Sequence, residues 1–281
     1  MTFLQAMVLA VLQGFSELFP ISSLGHTVLL PALLGWHIDR TDPTFLAFVV
    51  ALHLGTALAL LVFYRRDWAR IAAGLIRSIA RGRISDDPDE RLGWLLIAGT
   101  IPLALVGVFL EEPVKRLFGS ASLVAGFLIL NACVMFLGER LKRVERVADV
   151  RMTALPYRSG MAIGLSQALA LLPGISRSGS SIVAGLLAGL DHEDSARFSF
   201  LLATPAIGAA SLLEIPRLFA PAAHGVLIES LVGGVVAAFT AFASVVFLTR
   251  YFRSNDLRPF GWYCLIFGAL CLTLALTKVI S

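Results

Sequence analysis

Charge is what this chain has least of. Only 15% of its 281 residues are Asp, Glu, Lys or Arg, whereas 57% are hydrophobic and the mean hydropathy is +0.83. An ordinary water-soluble domain carries about 25% charged residues, so these proportions exclude one and make the bilayer the solvent. Cysteine is sparse too. Cys133, Cys264 and Cys271 all lie in apolar runs without metal-ligand spacing, which excludes a disulfide framework or zinc site and leaves them as packing residues. The N-terminus lacks the basic region of a cleavable signal, and its first apolar stretch runs straight into Gln13-Gly-Phe-Ser-Glu17; it is expected to belong to the fold. A one-sided basic face is also missing. The net charge is +4 and the pI about 9.2, but Lys and Arg sit in short gaps between apolar runs, which argues for membrane topology and against a nucleic-acid partner.

What is present is long apolar sequence. About 20 helical residues cross the roughly 30 Å of hydrocarbon in a bilayer. Six stretches qualify: Thr44 to Tyr64, Trp94 to Leu110, Ser120 to Leu137, Phe198 to Leu213, Val226 to Thr249 and Gly261 to Val279. Tyr64, Trp94, Tyr251 and Trp262 mark ends as interfacial anchors do. Two further regions are broken, Met1 to Leu34 by Gly14, Pro20 and Gly25, and Ser159 to Leu190 by Pro173, Gly174 and Gly179. Each reads as a re-entrant hairpin, because backbone broken at membrane depth is tolerated only when buried in protein or lining a wet cavity.

The broken regions echo each other at one constant spacing: Met7 with Met161, Gln13 with Gln167, Leu18 with Leu172, Ile21 with Ile175, Ser22 with Ser176, and Gly25 with Gly179. This indicates an internal repeat, approximately 1–137 and 159–281, joined by a connector at 138–158. If each hairpin enters and leaves on one face, the loops at 65–93, 138–158, 191–197 and 250–260 share a face holding most of the 23 lysines and arginines. The other face has Arg40, Lys115, Arg116, Arg217 and Lys278. The positive-inside rule makes the basic face cytoplasmic and both termini external, so the hairpins enter from opposite sides. The expected fold is an all-α integral membrane protein, a single transmembrane domain over 1–281. It has six spanning helices plus two re-entrant helical hairpins in an inverted-topology repeat.

Chemistry concentrates in the two breaks. The first, Gln13 to His26, places Glu17, Ser22, Ser23 and His26 inside an apolar segment, and an ionisable residue at that depth marks a functional site by default. One of Ser22 and Ser23 is expected to cap the following helix; Ser23 is the better candidate for chemistry, since Ser22 has a serine counterpart in the repeat. The second break, Leu172-Pro-Gly-Ile-Ser176-Arg177-Ser178-Gly179-Ser180-Ser181, reads as an oxyanion cradle of backbone N–H groups, hydroxyls and a guanidinium. The expected phosphate-binding set is Ser22, Gly174, Ser176, Arg177, Ser178 and Gly179; Ser176, Ser178, Ser180 and Ser181 serve equally as caps or small packing residues. Elsewhere, His53 reads as a packing histidine, Asp86-Asp87-Pro-Asp89-Glu90 as a solvated loop, and Asp191-His-Glu193-Asp194 as a cap.

Glu17 with Pro20-Ile-Ser22-Ser23-Leu-Gly-His26, and Pro173-Gly-Ile-Ser176-Arg177-Ser178-Gly179, resemble the two signature motifs of the bacterial undecaprenyl-diphosphate phosphatases of the bacitracin-resistance type. The resemblance spans essentially the whole chain and departs at Gln13, where many members have glutamate. It implies hydrolysis of undecaprenyl diphosphate to undecaprenyl phosphate and inorganic phosphate at the bacterial inner membrane. It also implies a divalent cation, Mg2+ or Ca2+, for which Glu17 with a neutral oxygen from Gln13 is the candidate ligand pair, and the residues themselves point to Glu17, Ser23, His26 and Arg177 as the catalytic set. The expected partners are the polyprenyl diphosphate and membrane lipids, with a homodimer left open. Ser23 as nucleophile with Glu17 or His26 as base, direct attack by His26, and activated water all remain open. A flippase for polyprenyl phosphate is the alternative, since secondary transporters share the architecture.

Overall fold

A computed structural model describes residues 1–39, 42–115, 120–145, 150–219 and 225–280, without the side chains of 107–115, 144–145 and 217. Arg40, Arg116, Ser281 and residues 146–149 of the connector therefore lie outside the described residues, as do the side chains of Lys115 and Arg217. No strand occurs among those described.

The first broken region forms α1 (Phe3–Ser16) and α2 (Ser23–Leu33). A reciprocal capping box starts α1, Thr2 Oγ1 accepting from the Gln5 N–H and Gln5 Oε1 from the Thr2 N–H. The second region forms α7 (Tyr157–Ser166), a 3-10 turn at Gln167–Leu171 and α8 (Arg177–Leu187). Each arm is short. Eleven residues of α2 or α8 rise only about 16 Å, half the hydrocarbon thickness.

Between and after them run α3 (Pro43–Phe63), α4 (Arg65–Arg81), α5 (Pro88–Lys115), α6 (Ala121–Glu145), α9 (His192–Leu218), α10 (Leu227–Tyr251) and α11 (Arg258–Leu276). Among the described residues five helical stretches are long and apolar enough to cross a membrane: Pro43–Phe63, Ala121–Arg143, His192–Pro216, Leu227–Tyr251 and Arg258–Leu276. The sixth expected span, Trp94 to Leu110, lies within α5, a continuous helix of 28 residues. Leu213 at 81% and Phe239 at 75% exposure point outward, as side chains do when lipid is the solvent. The result is a multi-pass membrane protein.

Two expectations about the 65–93 segment are corrected. It contains α4, hidden in the sequence because arginines interleave with its apolar positions. Ile71, Gly74 and Ser78 line the helix's buried side, with Trp94 Nε1 donating to Ser78 Oγ at 2.7 Å. The acidic run is not fully solvated either: Asp87 accepts the Asp89 N–H to cap α5, and Glu90 is buried, bonded to Arg81 and Ser85. The second acidic run behaves as expected, Asp191 accepting the Asp194 N–H at 2.6 Å at the start of α9. All three cysteines are free thiols.

Small residues let the helices approach closely, as membrane packing requires. A Cβ added at Gly164 of α7 would fall 1.9 Å from the Gly99 carbonyl oxygen of α5. By such contacts α7 docks on α5 while α8 packs between α6 and α9, and α1 packs on α10 and α3. Both breaks thus come to the centre of the bundle.

Candidate active site

Where α1 ends and α2 begins, the chain turns sharply. Ser22 adopts a positive φ of 70°, a conformation that costs a side-chain-bearing residue roughly 1–3 kcal/mol. Two bonds hold it there: Ser22 Oγ accepts the Gly25 N–H at 3.2 Å, and the Ser22 carbonyl accepts from His26 Nδ1 at 2.7 Å. Ser22 is thus the cap, and Ser23 is free. Ser23 Oγ donates to Glu17 Oε2 at 2.5 Å.

Glu17 is buried and saturated with donors. Gln13 Nε2, one turn earlier on α1, donates to Oε2 at 3.2 Å. From the other break, Arg177 Nε and Nη2 each reach Oε1 at 3.4 Å. Arg177 Nη1 lies 3.3 Å from Gln167 Oε1. Gln13 and Gln167, partners in the repeat, therefore each hold one of two opposite charges. Truncating one member of such a pair strands the other charge, at a cost of about 3–5 kcal/mol. The guanidinium contacts are long, so phosphate oxygens can compete for them.

These groups line a cavity of about 580 Å³. Glu17, Ser22, Ser23, Ser176 and Arg177 form its polar end, and a largely apolar arm runs out past Val50, Leu103, Ala104, Ile207, Ala210 and Leu213, the lining also including Thr100, Ser211 and Glu214. The arrangement offers a hydroxyl bonded to a carboxylate, a guanidinium beside them, and an apolar slot leading away. That is a site for a charged head on a hydrocarbon chain.

Several expected site residues do other work. His26 does not line the cavity: with Nδ1–H bound to a carbonyl, its Nε2 accepts from Tyr263 Oη at 2.7 Å, and the ring stacks on Tyr263 and Phe267 of α11. It braces the strained Ser22 against α11. Ser178 is fully buried and donates to the Phe19 carbonyl at 3.1 Å, joining the two breaks instead of facing the cavity. Gly174, at φ 116°, lets the chain press on α6, where an added Cβ would lie 2.4 Å from the Val124 carbonyl oxygen. Gly179 N–H is taken by the Ser176 cap at 3.1 Å. Ser181 bonds the Arg177 carbonyl and Ser199, and Ser180 is buried away from the cavity.

Three residues escaped the sequence reading. His53 of α3 lines the cavity, Nδ1–H bound to the Val49 carbonyl at 2.9 Å and Nε2 turned toward Glu17 Oε2 at 3.8 Å. A histidine in mid-span was the available signal. Gln167 could have been found as the repeat partner of Gln13, and Asn131 as a lone carboxamide in the apolar run of α6.

Comparison with known proteins agrees with this geometry. The family model described as Bacitracin resistance protein BacA matches residues 6–270. Undecaprenyl-diphosphatase 2 of Chromobacterium violaceum is 50% identical over 277 residues, covering 96% of this chain and 98% of that one. Undecaprenyl-diphosphatase of Acidiphilium cryptum is 48% identical over 98% of both chains, and that of Mycobacterium avium 45% identical over 97% of both. With Glu17, Ser22, Ser23, Ser176 and Arg177 of its two motifs at one cavity and its length matched almost end to end, the chain belongs to the Bacitracin resistance protein BacA family.

Proposed function

We propose that this protein is an undecaprenyl-diphosphatase, cleaving undecaprenyl diphosphate to undecaprenyl phosphate and inorganic phosphate and so conferring bacitracin resistance. The observation that carries the reading is Ser23 hydrogen-bonded to Glu17, with Arg177 on the other carboxylate oxygen and an apolar arm leading away. In the reaction Ser23 Oγ attacks the terminal phosphorus as its proton passes to Glu17 Oε2. Arg177 takes the charge that builds on the phosphoryl oxygens. The bond from phosphorus to the bridging oxygen breaks, and the polyprenyl phosphate leaves along the apolar arm. Water then hydrolyses the phosphoserine, restoring Ser23 and releasing phosphate.

The donor set fits one mode of cation binding. Among the described residues no group of three or more His, Cys, Asp or Glu surrounds a point, so a protein-enclosed calcium site is not supported. One carboxylate, Glu17, suits magnesium held jointly with phosphate oxygens and water; Gln13 turns its Nε2 toward Glu17 Oε2, so its carboxamide oxygen would join only after the amide rotates. A bound cation would neutralise diphosphate charge.

The proposed topology has α5 as a sixth span and both broken regions re-entrant and inverted, with the termini outside and the site opening to the periplasm. The short arms of α2 and α8 support re-entrance, and the basic segments support the orientation. The test is phosphate release from a C55 diphosphate by detergent-purified protein, with magnesium or with EDTA. Release that EDTA abolishes is expected. A wild type that releases none with magnesium present, yet moves the lipid between leaflets, is instead a flippase.

A further inference from the structure

The two breaks are fastened together by a side chain belonging to neither. Asn131 lies midway along α6 and has no exposure. Its Nδ2 donates to the Pro20 carbonyl at 3.0 Å and its Oδ1 accepts from the Ser176 backbone N–H at 3.0 Å. A carbonyl only accepts and a peptide N–H only donates, so these two bonds settle which way the carboxamide faces. The second Nδ2 hydrogen is directed at Cys264 Sγ, 3.5 Å away.

The two partners matter because of where they sit. Pro20 lies between Glu17 and Ser22, and Ser176 immediately precedes Arg177. Both backbone groups need an outside partner because the helices are interrupted there, in a buried interior. One carboxamide meets both needs at once and so spans from the segment carrying carboxylate and nucleophile to the segment carrying the guanidinium. The Ser178 hydroxyl on the Phe19 carbonyl is a second strut across the same junction. We infer that Asn131 is a positioning residue, setting the separation between Arg177 and the Glu17–Ser23 pair. The inference rests on the phosphatase reading for its effect on turnover. Asn131 does not line the cavity, so its removal acts on kcat and not on the binding of the prenyl chain.

The experiment compares full-length wild type with Asn131→Leu, which keeps the volume without the bonds, and with Asn131→Ser. Two readouts are taken. Turnover of C55 diphosphate, normalised to folded protein, should show kcat reduced about 30- to 100-fold with KM within about threefold, the scale of loss from an ångström of misplacement. Separately, spin labels at the exposed positions Val11 on α1 and Leu187 on α8, in a background freed of native cysteine, report the distance between hairpins. The distribution should be narrow in wild type and broadened or displaced in both variants. Normalised kcat within threefold of wild type, or a rise in KM that accounts for the loss, overturns the inference, as does an unchanged distance distribution. A wild type that releases no phosphate, together with distances that do broaden in the variants, removes the phosphatase reading and leaves Asn131 as the strut. If Asn131→Leu does not fold, Asn131→Ser and the Ser178→Ala single and double variants decide: struts on one junction give a double loss that departs from the product of the single losses.

Discussion

Arg177 reaches Glu17 across 160 residues of sequence, its Nε and Nη2 both 3.4 Å from Oε1 while Ser23 holds Oε2. In the proposed reaction one carboxylate serves as base for the nucleophile and as counter-ion for the phosphate-binding group. In that reading substrate arrival frees these roles: phosphate oxygens take over the guanidinium, and Glu17 is left to accept the serine proton.

Ser23→Ala removes the nucleophile but little packing. Its kcat for phosphate release is expected to fall by about 10³-fold or more with an unaltered melting temperature. Robust hydrolysis by this variant would mean that water or another group attacks.

Glu17→Gln keeps the shape and loses the base, for an expected drop of about 10²–10⁴ in kcat. It also strands the Arg177 charge, so it should melt below wild type. The double variant Glu17→Gln, Arg177→Met should regain part of that stability while staying inactive. Thermal melts of the three variants, read alongside turnover, check the sign; a double variant no more stable than the single would show that the pair is not coupled.

Arg177→Lys preserves charge without the planar fork that holds two phosphate oxygens. Its kcat/KM should fall about 10²-fold, and that of Arg177→Ala further. Equal activity of Lys and wild type would reduce Arg177 to a point charge.

His26 is placed to support the backbone at Ser22 and lies off the cavity lining. His26→Phe keeps the stack on Tyr263 and Phe267 and loses both hydrogen bonds. It should retain far more turnover than Ser23→Ala, with its deficit shared by Tyr263→Phe. Steady-state kinetics of both variants are the check; His26→Phe as inactive as Ser23→Ala would return the imidazole to the chemistry.

Gly174→Ala should destabilise severely, because φ is 116° and the methyl meets the Val124 carbonyl oxygen. Gly208→Ala is the control: its nearest neighbour would be Ala57 Cβ at 4.0 Å, ordinary contact, so it should be tolerated. Melting temperatures of the pair separate close approach from a general intolerance of alanine.

The amino-acid sequence by itself determined the solvent, the helical class, the location of both breaks and the residue types gathered there. These are properties of composition and spacing: an apolar run that must pair its own backbone becomes helix, and charges placed inside it declare a use. The serine caps at Ser22 and Ser176 were equally legible as local rules. Only the tertiary structure decided which motif residues face the cavity. Ser23 and Ser178 look alike in sequence, yet one bonds Glu17 and the other a carbonyl of the opposite break. His26 turned to α11, while His53, Gln167 and Asn131 came in from other helices. The direction of a side chain depends on which helix packs beside it, and that is a property of long-range contacts that no local pattern encodes.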